Sequence, residues 1–159
     1  MILGLAPFTF IHVVISLVGI GTGLAVLFGL LGNRRMDGMT ATFLLFTVAT
    51  SVTGFFLPFT AVTPAVKLGI LSLIVLAPTL AARYAFGLRG AWRWIYVVGA
   101  VAALYFNCFV LAVQAFLKVP ALHALAPNGS EPPFAIAQGL VLLFFAVTGY
   151  LSVRRFRPA

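Results

Sequence analysis

Apolar residues form five long stretches in this chain, and short polar segments separate them. A hydrocarbon core about 30 Å thick is crossed by about 20 helical residues, each of which rises about 1.5 Å. The stretches cover residues 11–31, 41–58, 66–88, 94–117 and 134–153, and the second is the shortest. The pattern therefore predicts an all-α polytopic membrane protein, with a single bundle of five transmembrane helices in one domain (residues 1–159).

The basic residues predict the orientation of these helices. Two of the ten, Lys67 and Lys118, fall at one predicted end of the bundle. The other end receives Arg34, Arg35, Arg83, Arg89, Arg93, Arg154, Arg155 and Arg157. Because loops rich in Lys and Arg are retained in the cytoplasm, we expect the N-terminus outside and the C-terminus inside. Arg83 lies about one turn from the inner end of its helix, so we expect its guanidinium to extend to the lipid headgroups.

Composition excludes several classes of protein. A chain that is 63% hydrophobic and 8% charged has too little polar surface for an ordinary soluble domain. Its net charge of +8 comes from residues that flank the predicted helices, and they form no clustered face for nucleic acid. The single Cys108 excludes an intrachain disulfide. The expected partners are the lipid bilayer and either other membrane subunits or a second copy of the chain.

Small and hydroxyl residues predict where the helices pack against one another. Close approach between helices in lipid depends on small side chains and on hydrogen bonds. The predicted packing residues are Ser16, Gly19 and Gly23 in the first helix, and Thr47, Thr50, Ser51 and Gly54 in the second. In the third helix, Pro78 removes a backbone donor and predicts a bend.

The two carboxylates of the chain, Asp37 and Glu131, both fall in predicted loops. Proton and cation pathways commonly use an ionisable group inside the membrane, so their positions disfavour a proton-coupled pump or a cation antiporter. The sequence has no His, Cys and carboxylate cluster at metal-ligand spacing and no glycine-rich phosphate loop. We therefore predict no catalytic residue and no metal site, and we expect a non-enzymatic protein.

Six polar residues are predicted to lie near the outer end of the bundle. They are His12, Asn107, Gln114, Gln138, His123 and Glu131. Two interpretations stay open: the side chains hydrogen-bond between helices, or they form an outward-facing pocket under the loop at residues 118–133. Such a pocket would bind a lipid headgroup, a quinone or another small amphipathic molecule. No cofactor is predicted, although His12 and His123 together offer an alternative in which they ligate a haem.

The loop between the last two apolar stretches has its own local signals. Pro120 favours a short interfacial helix over residues 120–126, because proline suits the first position of a helix. Asn128-Gly129-Ser130 matches a glycosylation acceptor, but its Asn-Gly pair is better read as a turn. Ser130 or Glu131 is expected to cap the last helix.

Segments of the chain resemble a family of small, uncharacterised bacterial multi-pass membrane proteins. The segments that carry the resemblance are residues 12–20, 48–54, 119–127 and 130–134. The resemblance implies a bacterial inner (plasma) membrane location. It implies no activity, cofactor or catalytic residue.

Three functions remain open from the sequence. The preferred one is a non-enzymatic membrane protein, either an accessory subunit of a larger complex or a protein that binds a small ligand or lipid. The alternative is a small transporter or channel that works as a homo-oligomer, because one bundle of this size barely encloses a pathway. The third is a membrane redox protein or enzyme that uses the outer polar cluster.

Overall fold

The computed structural model describes residues 6–58 and 63–158, and this part of the chain is helical without a β-strand. The long helices are α1 (Pro7–Leu31), α2 (Asp37–Gly54), α3 (Pro64–Leu80), α4 (Ala91–Lys118) and α6 (Pro132–Arg155). A five-residue π-helical turn (Ala81–Ala85) continues α3, and the short α5 (Pro120–Leu125) follows α4. The predicted all-α class is confirmed.

Four of these helices are long and apolar enough to cross a membrane: α1, α3 with its π-helical turn, α4 and α6. This result indicates a multi-pass membrane protein. α2 has 18 residues and is not one of the four, because Asp37 and several hydroxyl residues make it more polar. The range predicted for this helix, residues 41–58, begins and ends four residues later than the helix itself. Asp37 is therefore the first residue of α2 and not a loop residue, a position where its negative charge suits the helix dipole.

Proline determines where several helices begin. Pro7, Pro64 and Pro132 occupy the first turn of α1, α3 and α6. Proline is suited to this position because its missing N–H would have no partner there and its φ angle is already helical. These helices consequently begin two to four residues before the apolar stretches that predicted them. Thr63 adds a cap to α3, since its side-chain oxygen accepts from the Val66 amide at 3.3 Å.

α4 is the central helix of the bundle. It contacts every other helix, whereas the remaining contacts join α1 to α2, α2 to α3 and α6 to α1. Its inner face supplies several fully buried side chains, among them Tyr96, Val97 and Leu104. Consecutive long helices run in alternating directions, since the starts of α1 and α3 lie beside the ends of α2 and α4, and the start of α4 lies beside the end of α6. Starts and ends of helices therefore alternate between the two ends of the molecule.

Two glycines allow close helix contacts. A Cβ atom at Gly23 would lie 2.6 Å from Leu104 of α4 and 2.8 Å from Phe43 of α2. A Cβ atom at Gly99 of α4 would collide with the Thr79 hydroxyl of α3, a contact that was not predicted. Gly19 makes an ordinary contact, since its added Cβ would lie 3.6 Å from Phe46 of α2. Replacement of Gly23 by a larger residue would therefore disturb helix packing more than replacement of Gly19.

Arg83 is buried, which makes its expected extension to the headgroups wrong. The residue is 5% exposed, and its Nη2 donates to Asp37 Oδ1 and, at 3.4 Å, to the carbonyl oxygen of Arg35. Its Cζ lies 5.1 Å from the centroid of the buried Tyr96 ring. A carboxylate and the face of an aromatic ring both attract a guanidinium. The side chain therefore has partners inside the bundle.

One end of the bundle carries Arg34, Arg35, Arg83 and Arg93 and is called the arginine-rich end below. Hydrogen bonds hold the segment after α6 against this end. Arg93 Nη1 donates to the carbonyl oxygens of Val153 at 2.9 Å and Phe156 at 2.6 Å. Phe156 is fully buried, and the next amide, that of Arg157, donates to Asn33 Oδ1 at 2.7 Å. These bonds join α4 and the end of α6 to the connection between α1 and α2.

Candidate functional site

A cavity of about 540 Å³ lies where α1 and α3 begin and where α2 and α4 end. Because the helices alternate in direction, this end of the bundle is opposite the arginine-rich end. Ligand sites in proteins typically have volumes of about 300 to 1,000 Å³, apolar walls and a few polar groups. The cavity has this size and composition.

The structure brings together three of the six predicted site residues. His12, Asn107 and Gln114 line the cavity. Four predicted packing residues line it as well: Ser16, Thr50, Ser51 and Gly54. Thr47, also predicted to pack, is fully buried in α2, where its hydroxyl donates to the Phe43 carbonyl at 2.7 Å.

His12 is oriented by α2. Its Nδ1 lies 2.8 Å from the Thr53 hydroxyl oxygen, and that hydroxyl also lies 2.6 Å from the Ala49 carbonyl. A carbonyl only accepts, so the Thr53 proton points to Ala49 and the Thr53 oxygen accepts from Nδ1–H. This assignment makes Nε2 the free acceptor of the neutral ring. The ring lies beside Gly54, where an added Cβ would make an ordinary contact of 3.6 Å with His12 Cε1.

Three hydroxyl groups of the cavity use their protons within their own helices. Ser16 donates to the His12 carbonyl at 2.8 Å, Thr50 to the Phe46 carbonyl at 2.8 Å and Ser51 to the Thr47 carbonyl at 3.0 Å. This bond to the carbonyl one turn back is common for Ser and Thr in helices. Each hydroxyl oxygen keeps lone pairs that can accept a further hydrogen bond.

Two buried polar atoms of the cavity lack partners within the described residues. They are Ser72 Oγ, in a residue that is 2% exposed, and Asn107 Nδ2. A buried polar group without a hydrogen bond costs about 1 to 3 kcal/mol, so a polar group from outside the chain would be held well at this place. Ser72 was not among the residues predicted for the site. Its signal was the pair of small residues Gly69 and Ser72, three apart on one face of α3.

Charge is scarce around the cavity. Lys118 and His12 are the ionisable side chains of its described lining, and Lys118 is exposed at the end of α4. The described lining contains no carboxylate. Residues 59–62, which follow the lining residue Pro58, lie outside the described residues and have no ionisable side chain in the sequence. The cavity is thus equipped to hold an apolar body and to hydrogen-bond a polar group.

Gln138 lies outside the cavity lining. It is buried in α6, and its Nε2 donates to the Phe109 carbonyl of α4 at 3.1 Å. An amide that bonds the backbone of a neighbouring helix stabilises packing in the membrane. Gln138 therefore joins α6 to α4.

His123 and Glu131 also lie outside the lining. His123 is exposed on α5, which begins at Pro120 as predicted and ends at Leu125, one residue before the predicted end. Glu131 closes the predicted turn, because its carboxylate accepts from the Asn128 amide and the Ser130 amide, both at 3.0 Å. These bonds, the one from Asn128 above all, hold the pKa of Glu131 below its ordinary value. Glu131 precedes α6 as predicted, but its side chain forms no capping bond to that helix.

The described residues contain no group of three His, Cys, Asp or Glu side chains placed to hold a metal ion. The sequence matches no protein-family model, and comparisons with curated proteins and with solved structures find no significant match.

Proposed function

We propose that the protein is a non-enzymatic membrane protein that binds a small amphipathic molecule in this cavity, alone or as an accessory subunit of a complex. The observation that supports the proposal is the presence of Ser72 Oγ and Asn107 Nδ2, both buried and unpaired among the described residues, in a cavity with mostly apolar walls. Apolar walls suit a hydrocarbon body, and the polar atoms suit its head.

The proposal includes a membrane orientation. α2 packs between α1 and α3 and carries the run Phe43–Phe46 in its centre, which supports its crossing the membrane as a fifth helix. The arginine-rich end faces the cytoplasm, so the cavity lies in the outer half of a bacterial inner membrane. Lys67 and Lys118 then lie at the outer surface.

The test compares Asn107→Leu and Gln114→Leu with Gln138→Leu as a matched control. Native mass spectrometry of the detergent-purified protein would follow binding of three probes: decylubiquinone, 1-oleoylglycerol and 1-oleoyl lysophosphatidate. We expect at least one probe to bind the wild type and the control, and both cavity variants to bind it at least fivefold more weakly. Absence of binding by all three probes, or equal binding by every variant, would contradict the proposal.

The same spectra address the other candidate functions. Larger subunits that co-purify with the chain would favour the accessory role. A defined homo-oligomer would favour a small transporter or channel. A bound chromophore with a haem absorption band would favour a redox protein that uses the outer polar residues.

A further inference from the structure

We infer that the cavity selects a neutral amphiphile whose head carries hydroxyl groups, such as a monoacylglycerol or a long-chain alcohol. This inference rests on the proposed function and names the chemical class of its ligand. It follows from counting which hydrogen-bond donors and acceptors of the cavity are still free.

The free acceptors require a ligand that donates. The hydroxyl groups of Ser16, Thr50 and Ser51 donate to backbone carbonyls, so towards a ligand their oxygens can only accept. His12 Nε2 also accepts when Nδ1 donates to Thr53. A ligand head that only accepts, such as the carbonyl of a quinone or an ester, cannot use these atoms.

The free donors require a ligand that also accepts. Ser72 Oγ–H and the Asn107 Nδ2 amide are buried without partners among the described residues. A hydroxyl group donates one hydrogen bond and accepts up to two, so it can serve both sets of atoms at once. A glycerol head has two neighbouring hydroxyls, so it offers donors and acceptors to both sets of atoms.

The charges disfavour an ionic head. A cationic head would need a carboxylate, and none lines the described part of the cavity. For an anionic head, the one basic side chain other than His12 among the described lining residues is Lys118, which is exposed and lies at the C-terminal end of α4, where the helix dipole is negative. Burial of an ion without a close partner is strongly unfavourable. A neutral head avoids this cost.

The experiment uses three probes with the same oleoyl chain: 1-oleoylglycerol, methyl oleate and 1-oleoyl lysophosphatidate. The wild-type protein in detergent is titrated with each probe, and apparent Kd values are measured by native mass spectrometry. We expect 1-oleoylglycerol to bind at least tenfold more tightly than the other two probes. Ser72→Ala and Asn107→Leu should each weaken its binding by about fivefold, because each removes one hydrogen bond. Gln138→Leu should leave its binding unchanged.

The possible failures are distinguishable. Tighter binding of lysophosphatidate, or equal binding of all three probes, would overturn the neutral-hydroxyl inference while the cavity remained a binding site. If none of these probes and no decylubiquinone binds, both the inference and the proposed function fail. Ser72→Ala removes a single oxygen, so it keeps the test valid if Asn107→Leu fails to fold.

Discussion

Asp37 pairs with two arginines that lie in very different surroundings. The side chain of Arg83 is 2% exposed, that of Arg35 is 44% exposed, and Asp37 itself is 71% exposed. An exposed ion pair contributes about 0 to 1 kcal/mol to stability. Loss of the partner of a buried charge costs about 3 to 5 kcal/mol, because the charge stays buried without compensation. The carboxylate therefore matters mainly because of Arg83.

Two substitutions separate these effects. We expect Asp37→Asn to lower the free energy of unfolding by about 3 kcal/mol, since it leaves the Arg83 guanidinium without its counter-ion. Arg35→Gln should lower it by less than about 1 kcal/mol, because that pair is exposed. Both are measured by denaturant unfolding in detergent. Equal losses would show that burial of Arg83 does not determine the energy of this pair.

The position of single residues along the bundle could be predicted, whereas the direction of their side chains around a helix could not. His12, Asn107 and Gln114 come together because their positions along alternating helices place them at one end of the bundle. Gln138 has a similar depth, but its side chain points to α4 and bonds Phe109. α6 is apolar on nearly every side, so its sequence does not reveal which face is inside.

At the scale of the helices, the contact between α3 and α4 has the strictest steric requirement. Gly99 lies directly against Thr79, whose hydroxyl donates to the Val75 carbonyl at 2.7 Å. Thr79 is fully buried, so it has no free space into which to move. The two helices can approach this closely only because residue 99 has no side chain.

Gly99→Ala tests this contact against Gly139→Ala. The added methyl group at residue 99 would collide with Thr79, and we expect a loss of about 1 to 3 kcal/mol in the free energy of unfolding. Gly139 is exposed in α6 with nothing within 4 Å of an added Cβ, so its substitution should leave stability unchanged or slightly raised. Thermal unfolding in detergent measures both variants. Similar midpoints would contradict the tight α3–α4 contact.

The long helices were largely predictable, because each contains a long apolar stretch that the sequence shows directly. The first residue of a helix depends on local chemistry, and α1 and α6 begin at a proline a few residues before the apolar stretch. The displaced range of α2 also reflects local chemistry: Asp37 begins the helix, while Pro58 disfavours helical conformation at Leu57. The contact of Gly99 with Thr79 depends on helix rotation, which hydropathy does not report.

At the scale of the whole molecule, the distribution of charge separates two ends with different chemistry. One end has the arginines, the ion pair between the buried Arg83 and the exposed Asp37, and the segment after α6 that is hydrogen-bonded to Arg93 and Asn33. The other has the cavity, which is almost uncharged. A membrane protein with this polarity has one orientation in which its basic loops stay in the cytoplasm.

Single cysteines can test this orientation because Cys108 is the only cysteine of the chain. In a Cys108→Ser background, we expect Pro58→Cys and Ser130→Cys to react with a membrane-impermeant maleimide in intact cells. Gly32→Cys should react only after lysis, because the proposed orientation places the α1–α2 connection inside. Labelling of Gly32→Cys and Pro58→Cys from the same side would show that α2 does not cross the membrane.

The hydrogen bond from the Arg157 amide to Asn33 spans 124 positions in sequence. Contacts between distant residues form late, since the chain between them must first be brought into place. During synthesis, α1 and α2 are therefore made long before the partner of Asn33 exists. The contacts of Phe156 and Arg157 can form only after these residues are made, so we expect the arginine-rich end of the bundle to be the last part to assemble.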